Sequence, residues 1–414
     1  MNLNATAAQS GFHRLLTGTL GAVASVAIAQ LFGTALWFSA NGSAGDLARV
    51  WNLSATEIGW LTSAVQLGFI LGTLGISLSG AADRFRASSV FVYSAVAGAF
   101  FNLCFAWLAE GPVSGLVFRF CVGVCLAGIY PMGMKLIVGW EPNRTGFALS
   151  QLVAMLTLGT ALPHAMRLMG EALPWQWVIS ASSILALIGA GIVRALGDGP
   201  HSRVQSLPAG SVRARAAAVL GAFKVRGFRA ATLGYFGHMW ELYTFWTMVP
   251  LIVASTSLAT SFPELGVSGL SFCVIGVGAL GALLGGVLSQ RLGSARVAIG
   301  ALALSGACGL IFALGWRELP VPALLVLLVV WGASVVADSP QFSALAAKAC
   351  PPEAVGGALA IQNCIGFAIT VVSIAATTTL FEHYGLDASW LLIAGPVFGL
   401  VLCRLAVSLP AKHE

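Results

Sequence analysis

The sequence has too few charged residues to cover the surface of a water-soluble protein. Of its 414 residues, 9% are charged and 58% are hydrophobic, and the mean hydropathy is +0.89. Soluble domains carry about 25% charged residues, and a disordered chain would be more polar still. The composition therefore excludes a soluble enzyme and a nucleic-acid-binding protein, despite a pI near 9.0. Because lipid is the solvent that accepts such a surface, we predict a multi-pass membrane protein.

Several chemical signatures are also missing from the sequence. No glycine-rich loop ends in the lysine that binds nucleotide phosphates, so we do not expect ATP to drive the protein. No H-E-x-x-H motif and no C-x-x-C motif occur, and seven of the eight cysteines lie in apolar runs. We therefore expect no metal, no cofactor and no disulfide. No nucleophile–base pair is visible either, so an enzyme is not expected.

What the sequence does contain is a succession of long apolar runs. A helix rises 1.5 Å per residue, so about 20 residues cross a hydrocarbon core of about 30 Å. The runs number twelve and lie near 15–40, 56–79, 88–109, 113–139, 146–168, 175–196, 229–254, 267–290, 297–315, 321–347, 355–380 and 388–408. They predict an all-α membrane protein with twelve transmembrane helices in two pseudo-symmetric bundles. We expect an N-terminal bundle over 1–196, a basic linker over 197–228 and a C-terminal bundle over 229–414.

Basic residues collect on one side of this predicted topology. With the N-terminus in the cytoplasm, seventeen of the 21 Lys and Arg residues fall inside. Arg49, Arg167 and Arg317 fall outside, and Arg119 falls within the membrane. Because cytoplasmic loops carry the excess of Lys and Arg, we predict that both termini and the linker are cytoplasmic, in the inner membrane of the cell.

The two halves of the sequence echo each other. Three matches occur in order at offsets of 207 to 210 residues: Asp83-Arg84 with Gln290-Arg291, Pro131 with Pro340, and Pro142-x-x-x-Gly146-x-Ala148-Leu149 with Pro352-x-x-x-Gly356-x-Ala358-Leu359. Such internal repeats are typical of transporters built from two related bundles.

Two motifs carry a resemblance to a known family. The loop after the eighth run reads Gly286-Val-Leu-Ser-Gln290-Arg291-Leu-Gly293, and the fourth run contains Arg119-x-x-x-Gly123. In these motifs, and in its layout over the whole length, the chain resembles the major facilitator superfamily. The resemblance implies a monomeric permease that works by alternating access, and the arginine motif is associated with proton-coupled members.

The same resemblance implies a cytoplasmic latch. Its second copy would consist of Gly286, Gln290, Arg291 and Gly293. Its first copy keeps Asp83 and Arg84, but Ser79 and Arg86 stand where the family pattern has glycines. We therefore expect a weaker latch in the first half.

Three charged residues lie well inside predicted helices, where a charge costs at least ~2.5–3.5 kcal/mol. Glu241 has His238 one turn away, an arrangement that suits proton coupling, although a structural hydrogen bond is the alternative. Asp338 shares a polar stripe with Gln341, next to Pro340, which can kink the helix. Arg119 cannot lose its proton, so it needs an anion, either a carboxylate or a substrate, unless it snorkels to the outer headgroups.

Further polar and aromatic residues are candidates to line a central cavity, each with helix packing as the alternative. They are Trp37, Asn41, Tyr130, Gln362 and Asn363, with Gln30, Gln66 and His164 as additional possibilities. The stretch Gly281-Ala-Leu-Leu-Gly285 is interpreted as close helix packing.

Together these features favour a secondary active transporter of a small organic solute, coupled to protons by Glu241 or Asp338. Arg119 favours an anion or zwitterion as substrate. The main alternative is proton-driven multidrug efflux, and a non-transporting membrane receptor or a membrane-embedded enzyme are others. The expected partners are the solute, protons and membrane lipids.

Overall fold

A computed structural model describes residues 11, 13–141, 145–170, 172–202, 220–351 and 354–408. All regular secondary structure in these ranges is helical. Within a bilayer a helix satisfies its own backbone hydrogen bonds, and an open strand would not. The prediction of an all-α fold is confirmed. Most of the predicted linker, and Pro142 and Pro352 of the internal repeat, lie outside the described residues.

Twelve successive segments form the fold, and we number them in chain order. They are Ala22–Thr34, Ala55–Ser79, Ala87–Leu108, Pro112–Trp140, Thr145–Met169, Trp175–Leu196, Arg226–Ala254, Gly266–Leu292, Ser294–Gly315, Val321–Ala349, Val355–Tyr384 and Trp390–Ser408. By length and composition, nine apolar helices among the described residues qualify as membrane spans. One of them, Val355–Arg404, covers the eleventh segment and the twelfth as far as Arg404. The twelve predicted segments are therefore present, with bounds close to those predicted for all but the first.

Four of these segments are interrupted. The first helix ends at Thr34, four residues in turns follow, and short helices then cover Ser39–Gly42 and Ala44–Trp51. The predicted continuous run over 15–40 is thus wrong for the first segment. The fourth segment restarts at Tyr130 and the tenth at Ser339, each with a proline in the first turn of the new helix. In the first turn of a helix the backbone N–H groups have no partner within the helix, so a proline there, which has no N–H, loses no hydrogen bond. The prolines therefore lie where they destabilise a helix least. The eighth segment is interrupted at Val277.

The chain divides into two compact units. The first comprises Met1–Leu53 and Ala64–Leu207, and the second comprises Ser54–Ser63 and Pro208–Glu414. The start of the second helix therefore groups with the second unit, a feature that hydropathy alone does not indicate.

Glycines in the first unit let the second and fourth helices approach closely. A Cβ atom on Gly123 would lie 2.1 Å from the carbonyl oxygen of Val65, and one on Gly72 would lie 2.7 Å from the carbonyl oxygen of Val124. Neither position has room for a side chain, as is common where helices pack in membranes.

The second unit repeats both contacts 209 residues later. A Cβ atom on Gly332 would lie 1.9 Å from the carbonyl oxygen of Val274, and one on Gly281 would lie 1.9 Å from that of Ala333. The eighth and tenth helices therefore pack as the second and fourth do. This agreement supports the internal repeat, and it supports the interpretation of Gly281 as a packing residue.

Candidate functional site

The seventh and tenth helices bring a histidine and an aspartate together. His238 Nδ1 lies 2.8 Å from Asp338 Oδ1, and both side chains are fully buried. The distance is that of an ion pair, although the alignment does not make a hydrogen bond, and His238 Nε2 and Asp338 Oδ2 have no hydrogen-bond partner among the described residues. The sequence suggested Glu241 as the neighbour of His238, but the structure pairs this histidine with Asp338.

Glu241 has different partners. Its side chain is buried, and Oε1 accepts a hydrogen bond from Trp331 Nε1 at 2.7 Å. Oε2 accepts one from the Ser305 hydroxyl at 2.8 Å. Each oxygen of the carboxylate therefore has a donor, as a buried acid requires. Sequence reasoning missed both Trp331 and Ser305, which lie on other helices.

The break in the tenth segment positions these groups. One helix ends at Ala337, Asp338 stands at the junction, and Pro340 lies in the first turn of the next helix. The predicted interruption by Pro340 is confirmed. Trp331 precedes Asp338 by seven residues, which is two helical turns and places both on one face. This spacing is the one signal by which Trp331 could have been found in the sequence.

Aromatic rings close the space around the Glu241 carboxylate. Trp331 packs against Phe245, with ring centroids 4.5 Å apart, and against Phe312, at 5.8 Å. Phe245 lies one turn after Glu241 on the seventh helix, and therefore on the same face. A site enclosed by such rings has a low dielectric, which strengthens its hydrogen bonds and its electrostatic interactions.

In the first unit, Arg119 is fully buried and hydrogen-bonds to residues at the break in the first segment. Its guanidinium donates to the carbonyl oxygens of Leu36, at 3.1 Å, and Trp37. It also donates to Ser39 Oγ at 2.9 Å, and it lies 5.7 Å from the ring centroid of Phe105. These acceptors are neutral, so the predicted carboxylate partner is not found among the described residues. Because Arg119 has no exposed surface, the snorkelling alternative is wrong.

The Arg119 cluster extends through Asn102, which the sequence did not single out. Asn102 Oδ1 accepts from Arg119 at 3.2 Å and from Ser39 at 2.7 Å. Its amide nitrogen donates to Ser183 Oγ and to the carbonyl oxygen of Ile179, both at 3.0 Å. Buried networks of this kind tie several helices in one arrangement, here the third, the fourth and the sixth with the turn after the first.

An aromatic group, which consists of Trp37, Phe69 and Tyr130, also lies in the first unit. The ring centroid of Trp37 is 5.0 Å from that of Phe69 and 6.4 Å from that of Tyr130. Trp37 Nε1 donates to Gln66 Oε1 at 3.2 Å, whereas the amide nitrogen of Gln66 is buried with no partner among the described residues. Two sequence candidates, Trp37 and Tyr130, are thus brought together.

Other buried polar groups of the first unit lack described partners. Neither amide atom of Gln30 has a hydrogen-bond partner among the described residues, and the same holds for His164 Nε2. Gln30 Oε1 lies beside Gly133, where a Cβ atom would approach it to 2.1 Å. Asn41 is also buried, but it is not one of these unpartnered groups. Buried polar groups without partners often mark sites where water or a ligand binds.

The remaining candidates of the second unit are more scattered. Gln362 accepts from Thr232 at 3.1 Å, and its amide nitrogen has no partner among the described residues. Gln341 is buried next to the break at Asp338, and Asn363 is half-buried. None of these three has a described hydrogen bond to Glu241.

The predicted latch loop of the second unit ends on a constrained glycine. Gly293 has φ of +84° and joins the eighth and ninth helices. A residue with a side chain rarely adopts this conformation, which explains the glycine. Gln290 and Arg291 are exposed beside it, and Gly286 is buried.

The corresponding loop of the first unit is built differently. Gly80 takes a positive φ of +66°, ahead of a short helix over Ala81–Arg84. Arg86, in place of the second glycine, lies 3.1 Å from a carboxylate oxygen of Asp198, which also accepts from the Ser88 backbone N–H at 2.8 Å. Asp198 was not a sequence candidate. Arg84 is exposed, and the side chain of Asp83 lies outside the described residues.

The family model described as Major Facilitator Superfamily matches residues 26–232 and 231–414. The chain belongs to the major facilitator superfamily. Two solved structures share its fold: the nucleoside transporter NupG, with a TM-score of 0.70, 14% identity, and coverage of 93% of this chain and 99% of that one; and the human organic anion transporter MFSD10, with a TM-score of 0.67, 14% identity, and coverage of 93% and 98%.

Two curated relatives are similar over part of their length. The niacin transporter NiaP of Acinetobacter baylyi is 33% identical over 135 residues, which is 28% of each chain. The 3-(3-hydroxy-phenyl)propionate transporter of Escherichia coli is 29% identical over 148 residues, or 35% of this chain and 36% of that one. The match therefore spans about a third of each relative. Membership in a family of solute transporters agrees with the expectation of a membrane transporter, not an enzyme.

Proposed function

We propose that the protein is a proton-coupled secondary transporter of small aromatic carboxylates that works by alternating access. The observation that carries the proposal is the buried carboxylate of Glu241. It accepts two hydrogen bonds, from Trp331 and Ser305, but it has no cationic partner among the described residues. Neither bond neutralises the charge, so a proton is the neutralising group that this position lacks. Ionisable groups within the membrane are commonly placed for such a role.

The pair formed by His238 and Asp338 is the second place where a proton can reside. It lies on the same two helices as Glu241 and Trp331, so a conformational change that moves one helix along the other alters both contacts together. Such a coupling between protonation and conformation is what proton-driven transport requires.

The proposed substrate class rests on two lines of support. Niacin and 3-(3-hydroxyphenyl)propionate, which the relatives are named for, are both small aromatic carboxylates. In the aromatic group of Trp37, Phe69 and Tyr130, the Tyr130 ring keeps exposed surface against which a substrate ring can stack, and the amide nitrogen of Gln66 can donate to a carboxylate. Arg119 is left out of this proposal, because both terminal nitrogens of its guanidinium donate to neutral acceptors and only Nε lacks a partner among the described residues.

The test uses purified protein in proteoliposomes, with uptake of radiolabelled niacin or 3-(3-hydroxyphenyl)propionate measured together with proton flux. We expect Glu241→Gln to abolish accumulation driven by a proton gradient and to spare counterflow exchange, because the amide keeps the shape but cannot titrate. Glu264→Gln, at an exposed glutamate, is the matched control and should behave as the unaltered protein.

Normal accumulation and proton flux in Glu241→Gln would refute coupling at this residue. Nicotinamide, which lacks the carboxylate, and a lipophilic cation complete the panel. Transport of the cation with neither acid transported would favour the multidrug alternative.

A further inference from the structure

We propose that Ser305 is the positioning residue that lets Glu241 exchange its proton, and that the proton is carried on Oε2. The inference deepens the proposed function and rests on it. It follows from the position of one hydroxyl between two acceptors. Ser305 Oγ lies 2.8 Å from Glu241 Oε2 and 3.1 Å from the carbonyl oxygen of Leu302, one turn earlier in the ninth helix.

A serine hydroxyl has one hydrogen to donate and lone pairs that accept. It therefore cannot donate to Glu241 and to Leu302 at the same time. When Glu241 is ionised, the Ser305 hydrogen points to Oε2. When Glu241 is protonated, the acid hydrogen on Oε2 points to Ser305 Oγ, and the serine hydrogen turns to the Leu302 carbonyl. Every polar atom of this group keeps a partner in both states.

The second donor identifies the oxygen that carries the proton. The indole nitrogen of Trp331 can only donate, and it lies 2.7 Å from Oε1. Oε1 must therefore accept in both charge states. Oε2 is the oxygen whose partner can reverse its role, so the proton belongs there.

None of the other ionisable groups that the structure describes around Glu241 has a hydrogen bond to it. Cys308 on the ninth helix and Asp338 on the tenth interact with it electrostatically, and His238 is one turn away on its own helix. Asp338 and His238 are paired with each other. In the proposed step the Oε2–H bond breaks, its electron pair stays on the carboxylate, the proton passes to water, and the O–H bond of Ser305 rotates without breaking.

The first experiment compares Ser305→Ala, Ser305→Thr and Ser373→Ala in proteoliposomes. Ser373 is the matched control. It is as buried as Ser305, and its hydroxyl lies 3.2 Å from the carbonyl oxygen of Thr370, one turn earlier. Its side-chain partner, like that of Ser305, is on the seventh helix, but this partner is the neutral Thr244, at 2.6 Å.

We expect Ser305→Ala to slow proton-driven uptake by roughly ten- to a hundredfold, the effect of losing one hydrogen bond to a charged group, and to leave counterflow unchanged. Ser305→Thr, which keeps the hydroxyl, and Ser373→Ala should both transport normally. Equal effects of Ser305→Ala and Ser373→Ala on proton-driven uptake would overturn the proposal.

A second comparison separates this role from packing. In a Glu241→Gln background no proton is exchanged at position 241, so adding Ser305→Ala should not alter counterflow. A further loss of counterflow in the double variant would show that Ser305 only supports the structure. If Glu241→Gln alone keeps proton-driven uptake, the proposed proton coupling at Glu241 is wrong. If Glu241→Gln loses that uptake but Ser305→Ala keeps it, the proposed coupling stands and only the role of Ser305 is wrong.

Infrared difference spectroscopy tests the assignment to Oε2. The carbonyl band of protonated Glu241 is identified by its absence in Glu241→Gln. If Oε2 carries the proton, Oε1 is the carbonyl oxygen that Trp331 binds, and Trp331→Phe should move the band to higher frequency. A band that stays in place in Trp331→Phe would assign the proton to Oε1 and overturn the proposal.

Discussion

Replacement of Gly123 by alanine tests whether the close helix contacts hold the fold together. The new Cβ atom would lie 2.1 Å from the carbonyl oxygen of Val65, whereas such C···O contacts are ordinarily about 3.3–3.6 Å. The atom it meets belongs to the backbone, so no side chain can rotate away. The second and fourth helices must separate locally by roughly 1 Å to restore an ordinary contact.

Two opposing effects set the size of the change. Alanine is a better helix former than glycine, and this difference stabilises the variant by up to about 1 kcal/mol. Overpacking that forces a backbone shift costs about 1–3 kcal/mol, occasionally more. We therefore expect a net loss of about 1–2 kcal/mol in the free energy of unfolding. Gly332→Ala, with its Cβ atom 1.9 Å from the carbonyl oxygen of Val274, should cost a similar amount in the second unit.

Gly75→Ala supplies the control, because a Cβ atom added to this glycine of the second helix would meet no atom within 4 Å. Thermal unfolding of the detergent-purified variants measures the effect, and denaturant titration in mixed micelles gives the free energies. The control should be at least as stable as the unaltered protein. If Gly123→Ala and Gly332→Ala are also as stable, the close approach of these helices does not constrain the fold and the reasoning is refuted.

Three further predictions concern other parts of the chain. Gly293→Val places a side chain on a backbone with φ of +84°, so transport should slow although the protein still inserts in the membrane. Gly300→Val, at a helix position with open space around it, is the control and should transport normally. Equal transport by the two variants would show that the loop at Gly293 does not act as a latch. The lysine in Arg119→Lys cannot make all the hydrogen bonds that the arginine makes to the first segment. The free energy of unfolding should therefore fall by about 1–3 kcal/mol for each carbonyl left unbonded, and the melting temperature should fall with it. An unchanged melting temperature together with weakened substrate binding would instead assign this side chain a role in binding substrate. In a cysteine-free background, a cysteine at Ser206, which lies outside the described residues, should resist an impermeant thiol reagent in intact cells if the linker is cytoplasmic. Labelling from outside would reverse the topology.

Features that depend on a few neighbouring residues were predictable. The twelve segments follow from hydropathy, because the cost of placing a side chain in lipid is nearly a property of that residue alone. The break before Pro340 follows from a missing backbone N–H, and the positive φ at Gly293 follows from its place in a tight turn. The internal repeat was visible in three weak sequence matches. The structure supports it, because the same glycine contacts occur in both units at positions that differ by 209 residues.

The partners of the buried polar groups were not predictable, because they depend on the register between helices that are far apart in the chain. His238 faces Asp338, a hundred residues away, and not Glu241 on its own helix. Glu241 instead meets Trp331 and Ser305, and Arg119 binds backbone carbonyls that no side-chain pattern reveals. The sequence by itself determined which segments enter the membrane and which residues there are ionisable. Only the tertiary structure decided which of them meet, because a buried polar side chain finds its partner at the depth and rotation at which two helices, distant in the chain, pack against each other.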